Sequence, residues 1–328
     1  MELEKLRKLH PQHWEKANAI RVLTLDAVAA ANSGHSGMPV GMADVATILF
    51  EKHLKFSTAQ PNWPDRDRFI LSAGHGSMLL YSIAYLCGYA DFDIDQLKNF
   101  RQLGKKTAGH PENFLSDVIE TTTGPLGQGI ANSVGFAIAE ESLRERFGRN
   151  IIDHHTFVIA GDGCLMEGVS QEAISLAGHL RLHKLIVFWD NNNITIDGTV
   201  DLTDSTDQKT RFEASGWEVI EIDGHDPEEI DSAISTAKKS EKPTMIACKT
   251  HIAIGTAAQD TSKGHGALTD PELIKNAREV YQWSHKPFDI PKSIKEQWEQ
   301  AGLEGHKAFK RWQSNLANLS NSKRKEFE

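Results

Sequence analysis

The sequence predicts an α/β protein with a doubly wound, mostly parallel sheet and helices on both faces. From residue 155 onward, short β-branched runs alternate with segments of helical length. A helix-length spacer between two strands is the connection that parallel neighbours require. The apolar content of 39% supplies enough side chains to bury a full core. A sheet of this kind binds its ligands at the carboxyl ends of its strands.

For the first half of the chain, the sequence predicts several helices and one buried strand. Apolar residues at helical spacing predict helices over 14–32 and 43–54, the first of them ending near Gly34. The run 67–77 is typical of a short strand that enters a glycine-rich loop, and a helix follows it. A longer helix begins after "TTTGPLGQG" and reaches about Phe147.

The second half alternates strand and helix without interruption. The predicted strands are "HHTFVIA", "KLIVFWD", "WEVIEID" and "PTMIACKT", and the predicted helices between them are "GVSQEAISLAGHL", "TDQKTRFEASG" and "DPEEIDSAISTAKKS". We therefore assign residues 1–287 to one ligand-binding domain. Residues 288–328, rich in Lys, Glu and Gln, are expected to form exposed helices that act as a connector.

Composition excludes several classes of protein. The formal net charge is −9 and the only run of basic residues is the short 323–325, so nucleic acid and membrane surfaces are unexpected partners. Three scattered cysteines, Cys87, Cys164 and Cys248, form neither a disulfide framework nor a zinc motif, and we expect a cytoplasmic protein. We expect neither a secretory signal nor a membrane span, because the charged N-terminus lacks an apolar region and no apolar run is long enough.

One short stretch suggests a site for a metal and a diphosphate. "GDG" (161–163) follows a predicted strand, and "NNN" (191–193) follows the next one. Glycines without a Cβ would let the main chain adopt unusual dihedral angles and approach phosphate oxygens, and a helix starting near Gly168 would direct its amides there. "GDG" alone is most often a plain turn. Paired with the asparagines at the same sheet edge, it favours a carboxylate that binds Mg²⁺.

The same pair resembles the thiamine diphosphate signature, and the surrounding sequence is similar to the transketolase family. The similar blocks include "SGHSGMPVGMAD", "ETTTGPLGQGIANSVG", "GDGCLMEGVSQEA" and "DNNNITIDG", and they follow the family's order from about residue 17 to 290. The resemblance implies the diphosphate-binding (PP) domain of a ketol transferase.

The resemblance also implies a set of ligands for the cofactor. Asp162, Asn192 and the carbonyl of Ile194 would bind Mg²⁺, or Ca²⁺ in its place. Three residues would contact the cofactor itself: Gly163 the diphosphate, and the main chain of Gly124 and Leu126 the aminopyrimidine. Glu167 would lie under the cofactor at a subunit interface, hydrogen-bonded to an acid of the partner.

Four histidines lie in loops directly after a glycine: His35, His75, His110 and His265. Any one of them alone is more often structural than catalytic, but imidazole suits the proton movements of ketol transfer near pH 7. The resemblance places all four in the channel for cofactor and donor, with His110 at the donor's terminal hydroxyl. It places His75 and His265 nearer the diphosphate and the reacting carbon.

The sequence departs from the family at two of these loops. The family usually has Gly-His-Pro-Gly where this chain has Ser36, and usually a proline soon after the histidine that matches His265. Proline would restrain φ at these points.

The resemblance further implies that a pyrimidine-binding domain is missing from the 328 residues. That half would supply the glutamate and the aromatic shelf for the cofactor, and groups for the sugar phosphates. A second chain would complete the enzyme, as a homodimer or heterotetramer, or the sequence is a piece of a longer protein. The alternatives are a cofactor-binding or assembly subunit without turnover of its own, and a ketol transferase similar to dihydroxyacetone synthase.

Overall fold

The computed structural model describes residues 1–328 and has a five-stranded sheet at its centre. The strands are β1 (Arg68–Leu71), β2 (Thr156–Gly161), β3 (Leu185–Asn191), β4 (Glu218–Asp223) and β5 (Thr244–Lys249). Their order is β1-β2-β3-β5-β4, and every neighbouring pair is parallel. The predicted α/β class and parallel sheet are confirmed.

The central strands β2, β3 and β5 are buried along almost their whole length. Side chains alternate between the two faces of a strand, so burial of consecutive residues means that helices cover both faces. Strand β4 forms one edge and leaves several side chains partly exposed. A cluster of 74 buried hydrophobic residues joins sheet and helices into one core.

Fifteen helices surround the sheet. They are α1 (Leu3–Leu9), α2 (Pro11–Ala31), α3 (Gly37–Gly41), α4 (Ala43–Ile48), α5 (Met78–Cys87), α6 (Ile94–Lys98), α7 (Gln128–Phe147), α8 (Asp162–Met166), α9 (Gly168–His179), α10 (Gln208–Ala214), α11 (Pro227–Ala237), α12 (Ser262–His265), α13 (Pro271–Val280), α14 (Lys292–Ala317) and α15 (Asn321–Phe327). The predicted helix over 43–54 is divided, because α4 continues as one π-helical turn over Leu49–His53.

A fully buried carboxylate ties the N-terminal helices to the rest of the domain. Asp44, in α4, accepts hydrogen bonds from Arg21, from His13 Nε2 at 2.9 Å and from His225 Nδ1 at 2.8 Å. Nε2 of His225 in turn accepts a hydrogen bond from the amide of His251 at 3.0 Å. This network fixes the loop that follows β5, which contributes to the cavity described below.

The C-terminal segment is helical as predicted, but the expectation that its helices are exposed is wrong for one face of α14. Ile294 and Trp298 belong to the main core cluster, and Trp312 donates a hydrogen bond to the carbonyl of Ile151 at 2.8 Å. Gly305 allows close packing, because a Cβ there would overlap the carbonyl oxygen of Phe56. This face of α14 is therefore part of the folded body.

Two sequence-based expectations concern the environment of the protein. No helix combines the length and the apolar character that crossing a membrane requires. All three cysteines are free thiols and buried, so none of them is paired in a disulfide.

Candidate functional site

A cavity of about 530 Å³ lies at the carboxyl edge of the sheet. It is formed by the loops that follow β1, β2, β3 and β5, together with the loop between α2 and α3 and the loop between α6 and α7. The cavity brings together every residue predicted for the site except Glu167: His35, His75, His110, Gly124, Leu126, Asp162, Gly163, Asn192, Ile194 and His265. Residues up to 230 positions apart in sequence thus share one concave surface.

Asp162 is the buried carboxylate of this cavity, at the point where β2 turns into α8. Its Oδ1 accepts a hydrogen bond from Trp189 Nε1 at 2.9 Å. Its Oδ2 is buried and has no hydrogen-bond partner. Burial, with a smaller effect of the neighbouring carboxylate of Asp190, raises the pKa of Asp162 to about 7. The protein alone therefore does not compensate the negative charge of this group.

Asn192 is held in a fixed orientation beside Asp162. Its Nδ2 donates to Asp190 Oδ2 at 2.8 Å, while its Oδ1 accepts from the amide of Ile194 at 2.9 Å. Asp190 is buried at the end of β3, and its other oxygen accepts a hydrogen bond from Thr250. Because the side-chain nitrogen of Asn192 faces Asp190, the side-chain oxygen of Asn192 faces away from that carboxylate.

These oxygen atoms fit a hard divalent cation. The unpartnered Oδ2 of Asp162 is the buried acceptor that such an ion would satisfy, and an amide oxygen and a main-chain carbonyl are close in the fold. No group of three or more His, Cys, Asp or Glu side chains is arranged to hold a metal ion. A site with one carboxylate, completed by phosphate oxygens and water, suits Mg²⁺ better than zinc.

Two glycines leave room where side chains would block the cavity. A Cβ at Gly163 would stand 2.9 Å from Leu126 Cδ1, and one at Gly124, whose φ is +143°, would stand 3.0 Å from the His110 ring. The expectation of unusual dihedral angles is wrong for Gly161 and Gly163, since neither has a positive φ. The predicted helix begins at Gly168 as α9, and a short helix that was not predicted, α8, precedes it from Asp162.

Three of the four predicted histidines form a cluster. The ring centroids of His35 and His75 lie 5.1 Å apart, those of His75 and His265 5.1 Å, and those of His35 and His265 5.6 Å. Burial, with a smaller effect of the neighbouring imidazoles, lowers the pKa of His75 to about 3 and that of His35 to about 4. Burial also lowers the pKa of His265. All three imidazoles are therefore neutral near pH 7.

The other two residues predicted to take part in catalysis, His110 and Glu167, lie apart from the histidine cluster. His110 is exposed at the mouth of the cavity, beside Gly124. Glu167 does not line the cavity and is exposed between α8 and α9, where it packs against Gly127.

Sequence reasoning missed Asp190, Trp189 and Thr250. Asp190 could have been found as a carboxylate at the end of a buried strand, whereas the contacts of the other two depend on strand order.

Similarity to known proteins extends over nearly the whole chain. Residues 12–328 match the family model described as "Transketolase, thiamine diphosphate binding domain". The chain belongs to the transketolase family. A transketolase of Rhodobacter capsulatus is 57% identical over 329 residues, covering 100% of this chain, and transketolase 1 of Pasteurella multocida is 54% identical over 92% of it.

Solved transketolase structures share the fold. The crystal structure of transketolase from Campylobacter jejuni superposes with a TM-score of 0.93 at 44% identity and covers 96% of this chain. The transketolase from Leishmania mexicana gives a TM-score of 0.91 at 43% identity. The chain spans about half the length of the curated relatives, 49% for the Rhodobacter protein. The predicted family and the thiamine diphosphate-binding fold are confirmed.

Proposed function

We propose that this chain is the diphosphate-binding half of a transketolase. The activity is the reversible transfer of a two-carbon ketol unit from a ketose phosphate to an aldose phosphate. The observation that carries the proposal is the cavity at the carboxyl edge of the sheet, where one unpaired carboxylate, an oriented amide and a cluster of neutral imidazoles face the same space.

Asp162, Asn192 and the carbonyl of Ile194 would hold Mg²⁺, or Ca²⁺ in its place. Trp189 holds one oxygen of Asp162, so that the free oxygen is available to the cation. Gly163 would contact the diphosphate, because the absence of a Cβ leaves space beside Leu126. The main chain of Gly124 and Leu126 would contact the aminopyrimidine. Thiamine diphosphate, when bound, supplies the carbon nucleophile that cleaves the ketose and carries the two-carbon unit.

The histidines would bind the sugar and move protons at its hydroxyl and carbonyl oxygens. A neutral imidazole can donate a hydrogen bond from one ring nitrogen and accept one at the other, and the low pKa values of His35 and His75 keep both rings neutral near pH 7. Nδ1 of His35 is buried without a partner, so it is available for a hydrogen bond with a ligand. His110 would contact the donor's terminal hydroxyl, and His265 would lie near the reacting carbon.

A complementary pyrimidine-binding domain would complete the catalytic site, with residues 288–328 as the connector toward it. Glu167 is exposed in this chain, which supports its proposed place at a subunit interface, hydrogen-bonded to an acid of the partner. A homodimer of joined halves or a heterotetramer of separate chains would provide that interface. The buried free thiols are compatible with a reducing cytosol, which we propose as the location.

Ligand binding is tested by thermal unfolding of the chain with thiamine diphosphate and Mg²⁺, alone and together. Ligands that bind the folded state raise the melting temperature, so we expect an increase with both ligands present. Asp162→Ala should abolish this increase. Glu213→Ala, which removes an exposed carboxylate without hydrogen-bond partners, should retain it.

Catalysis is tested with the complementary half added to the chain. With xylulose and ribose phosphates, we expect turnover by the pair and none by either half, and Asp162→Ala should remove it. Turnover by the chain alone would contradict the missing-half proposal. A pair that binds the cofactor without turnover would instead identify an assembly subunit, and turnover with formaldehyde as the preferred acceptor would identify a dihydroxyacetone synthase.

A further inference from the structure

The loops that carry His35 and His265 are in direct backbone contact. The amide of Ala253 donates to the carbonyl of Gly37 at 3.1 Å, and a Cβ at Gly37 would overlap the carbonyl oxygen of Gly264. The two loops are more than 200 residues apart in sequence, yet they bring their imidazole rings to 5.6 Å. Their relative position therefore decides the shape of the histidine cluster.

Ser36 forms two hydrogen bonds across this contact. Its amide donates to the carbonyl of Gly266 at 3.0 Å, and its Oγ accepts from the amide of Leu268 at 3.3 Å. Ser36 is fully buried and Leu268 is 5% exposed, so water does not compete effectively for either bond. The two hydrogen bonds hold the main chain at Gly266 and Leu268, directly after His265.

His265 depends on these backbone contacts for its position. Its ring makes no hydrogen bond to any protein group, and α12, which ends at His265, is only four residues long. Its ring neighbours are His35 and His75, and both are held on other loops. A shift of the 264–268 backbone would therefore carry the imidazole away from the cluster.

The two bonds require residues other than proline. Proline has no amide hydrogen, so it could not replace Ser36 as donor to Gly266 or Leu268 as donor to Ser36. The resemblance to the family implies a proline in each of these two loops, and this chain has none there. We propose that Ser36 is a positioning residue that holds His265 beside His35 and His75, and that its two hydrogen bonds replace the restraint that prolines give.

The two hydrogen bonds of Ser36 are tested by NMR on the full chain. Ser36→Ala removes the acceptor for Leu268 and keeps the amide bond to Gly266, whereas Ser36→Pro removes both. In Ser36→Ala we expect the Leu268 amide to exchange with solvent about tenfold faster, since one buried hydrogen bond is lost. The pKa of His265 should rise toward its ordinary value, because the ring becomes less buried. The Ser36→Pro variant should show larger changes in both.

Ser82→Ala is the matched control, because Ser82 is a fully buried serine whose hydroxyl has no partner. It should change neither the Leu268 amide nor the pKa of His265. His110 lies beside Gly124, away from the hydrogen bonds of Ser36, so its pKa should stay constant in all variants. Unchanged exchange at Leu268 and an unchanged pKa of His265 in Ser36→Ala would overturn the proposal.

The consequence for catalysis rests on the proposed function. In the pair with the complementary half, Ser36→Ala should lower kcat about tenfold or more, and Ser82→Ala should leave it unchanged. A Ser36→Ala pair as active as the wild type would overturn the positioning role. An inactive wild-type pair would refute the proposed function instead, and the NMR measurements would still decide whether Ser36 holds His265.

Discussion

Replacing Gly305 by alanine tests whether α14 is part of the folded body. An added Cβ would overlap the carbonyl oxygen of Phe56, and α14 would have to move by about 2 Å to restore van der Waals contact. Inserting a methyl group into a packed interface costs about 1–3 kcal/mol, and the upper value applies because the obstacle is backbone. Alanine regains about 1 kcal/mol in helix propensity. The expected net loss in the free energy of unfolding is about 2 kcal/mol.

Gly135→Ala provides the matched control within α7. Gly135 is exposed, and nothing lies within 4 Å of the position that an added Cβ would take, so only the helix propensity changes. We expect a gain of about 1 kcal/mol. The two substitutions are chemically identical but have opposite expected signs, and the variants should differ by about 3 kcal/mol in total.

Urea unfolding, followed by far-ultraviolet circular dichroism and by tryptophan emission, measures both changes. Two of the seven tryptophans, Trp298 and Trp312, lie on the buried face of α14, so part of the tryptophan emission reports on this helix. At an m-value of about 3 kcal/mol/M, the midpoint of Gly305→Ala should fall by about 0.7 M. If this variant were as stable as the wild type, α14 would not pack on Phe56 and would be the exposed connector that the sequence predicted.

Three further predictions concern buried ionisable groups, each measured by urea unfolding of the ligand-free chain. The pKa of Asp162 is raised to about 7 in the folded chain, so its carboxyl ionises first in the unfolded chain and stability falls as pH rises from about 4 to 7. Asp162→Asn should therefore gain stability over the wild type across this window, and a difference that does not vary with pH would contradict the assignment. The pKa of His75 is lowered to about 3, so the unfolded chain binds the proton first and stability is lost as pH falls below about 6.5. His75→Phe should lose less stability than the wild type on acidification, and parallel pH profiles would refute this. Asp44→Asn should cost about 3–5 kcal/mol, because it leaves the buried charge of Arg21 unpaired. The control Asp231→Asn, in a half-exposed ion pair, should cost less than about 1 kcal/mol, and equal losses in the two variants would contradict the network.

The sequence predicted the sheet because its signals are local. The runs that became β2, β3 and β5 are short and apolar, and segments with helical periodicity follow the first two, so neither signal requires knowledge of distant residues. The observed limits of helices differ from the predicted ones where tertiary contacts determine them. The short helix α8, which the sequence did not predict, begins at Asp162 directly at the end of β2, whereas α9 begins at Gly168 as predicted.

The packing of α14 could not be read from composition. Its Lys and Glu residues dominate the sequence, but Ile294 and Trp298 stand four positions apart on one face. That spacing indicates an apolar stripe. Whether the stripe is buried depends on the surface that α5 and the loop at Phe56 offer, and those residues lie more than 200 positions earlier in the chain.

The site was predictable as far as chain topology defines it. Asp162 and Asn192 follow neighbouring parallel strands, so they must meet at one edge of the sheet. The partners of Asp190 and Asp162 were not predictable. Thr250 reaches Asp190 only because β5 lies beside β3, and Trp189 reaches Asp162 through the register between β2 and β3.

Folding and binding place opposite demands on this edge of the sheet. Burial raises the pKa of both Asp162 and Asp190, which means that each carboxylate reduces the stability of the folded chain near neutral pH. In the proposed function, the cation and the phosphates would compensate these two carboxylates, which break the local rules of a buried strand end. The same conflict is the reason why "GDG" and "NNN" stand out in the sequence, since the strands on either side follow those rules.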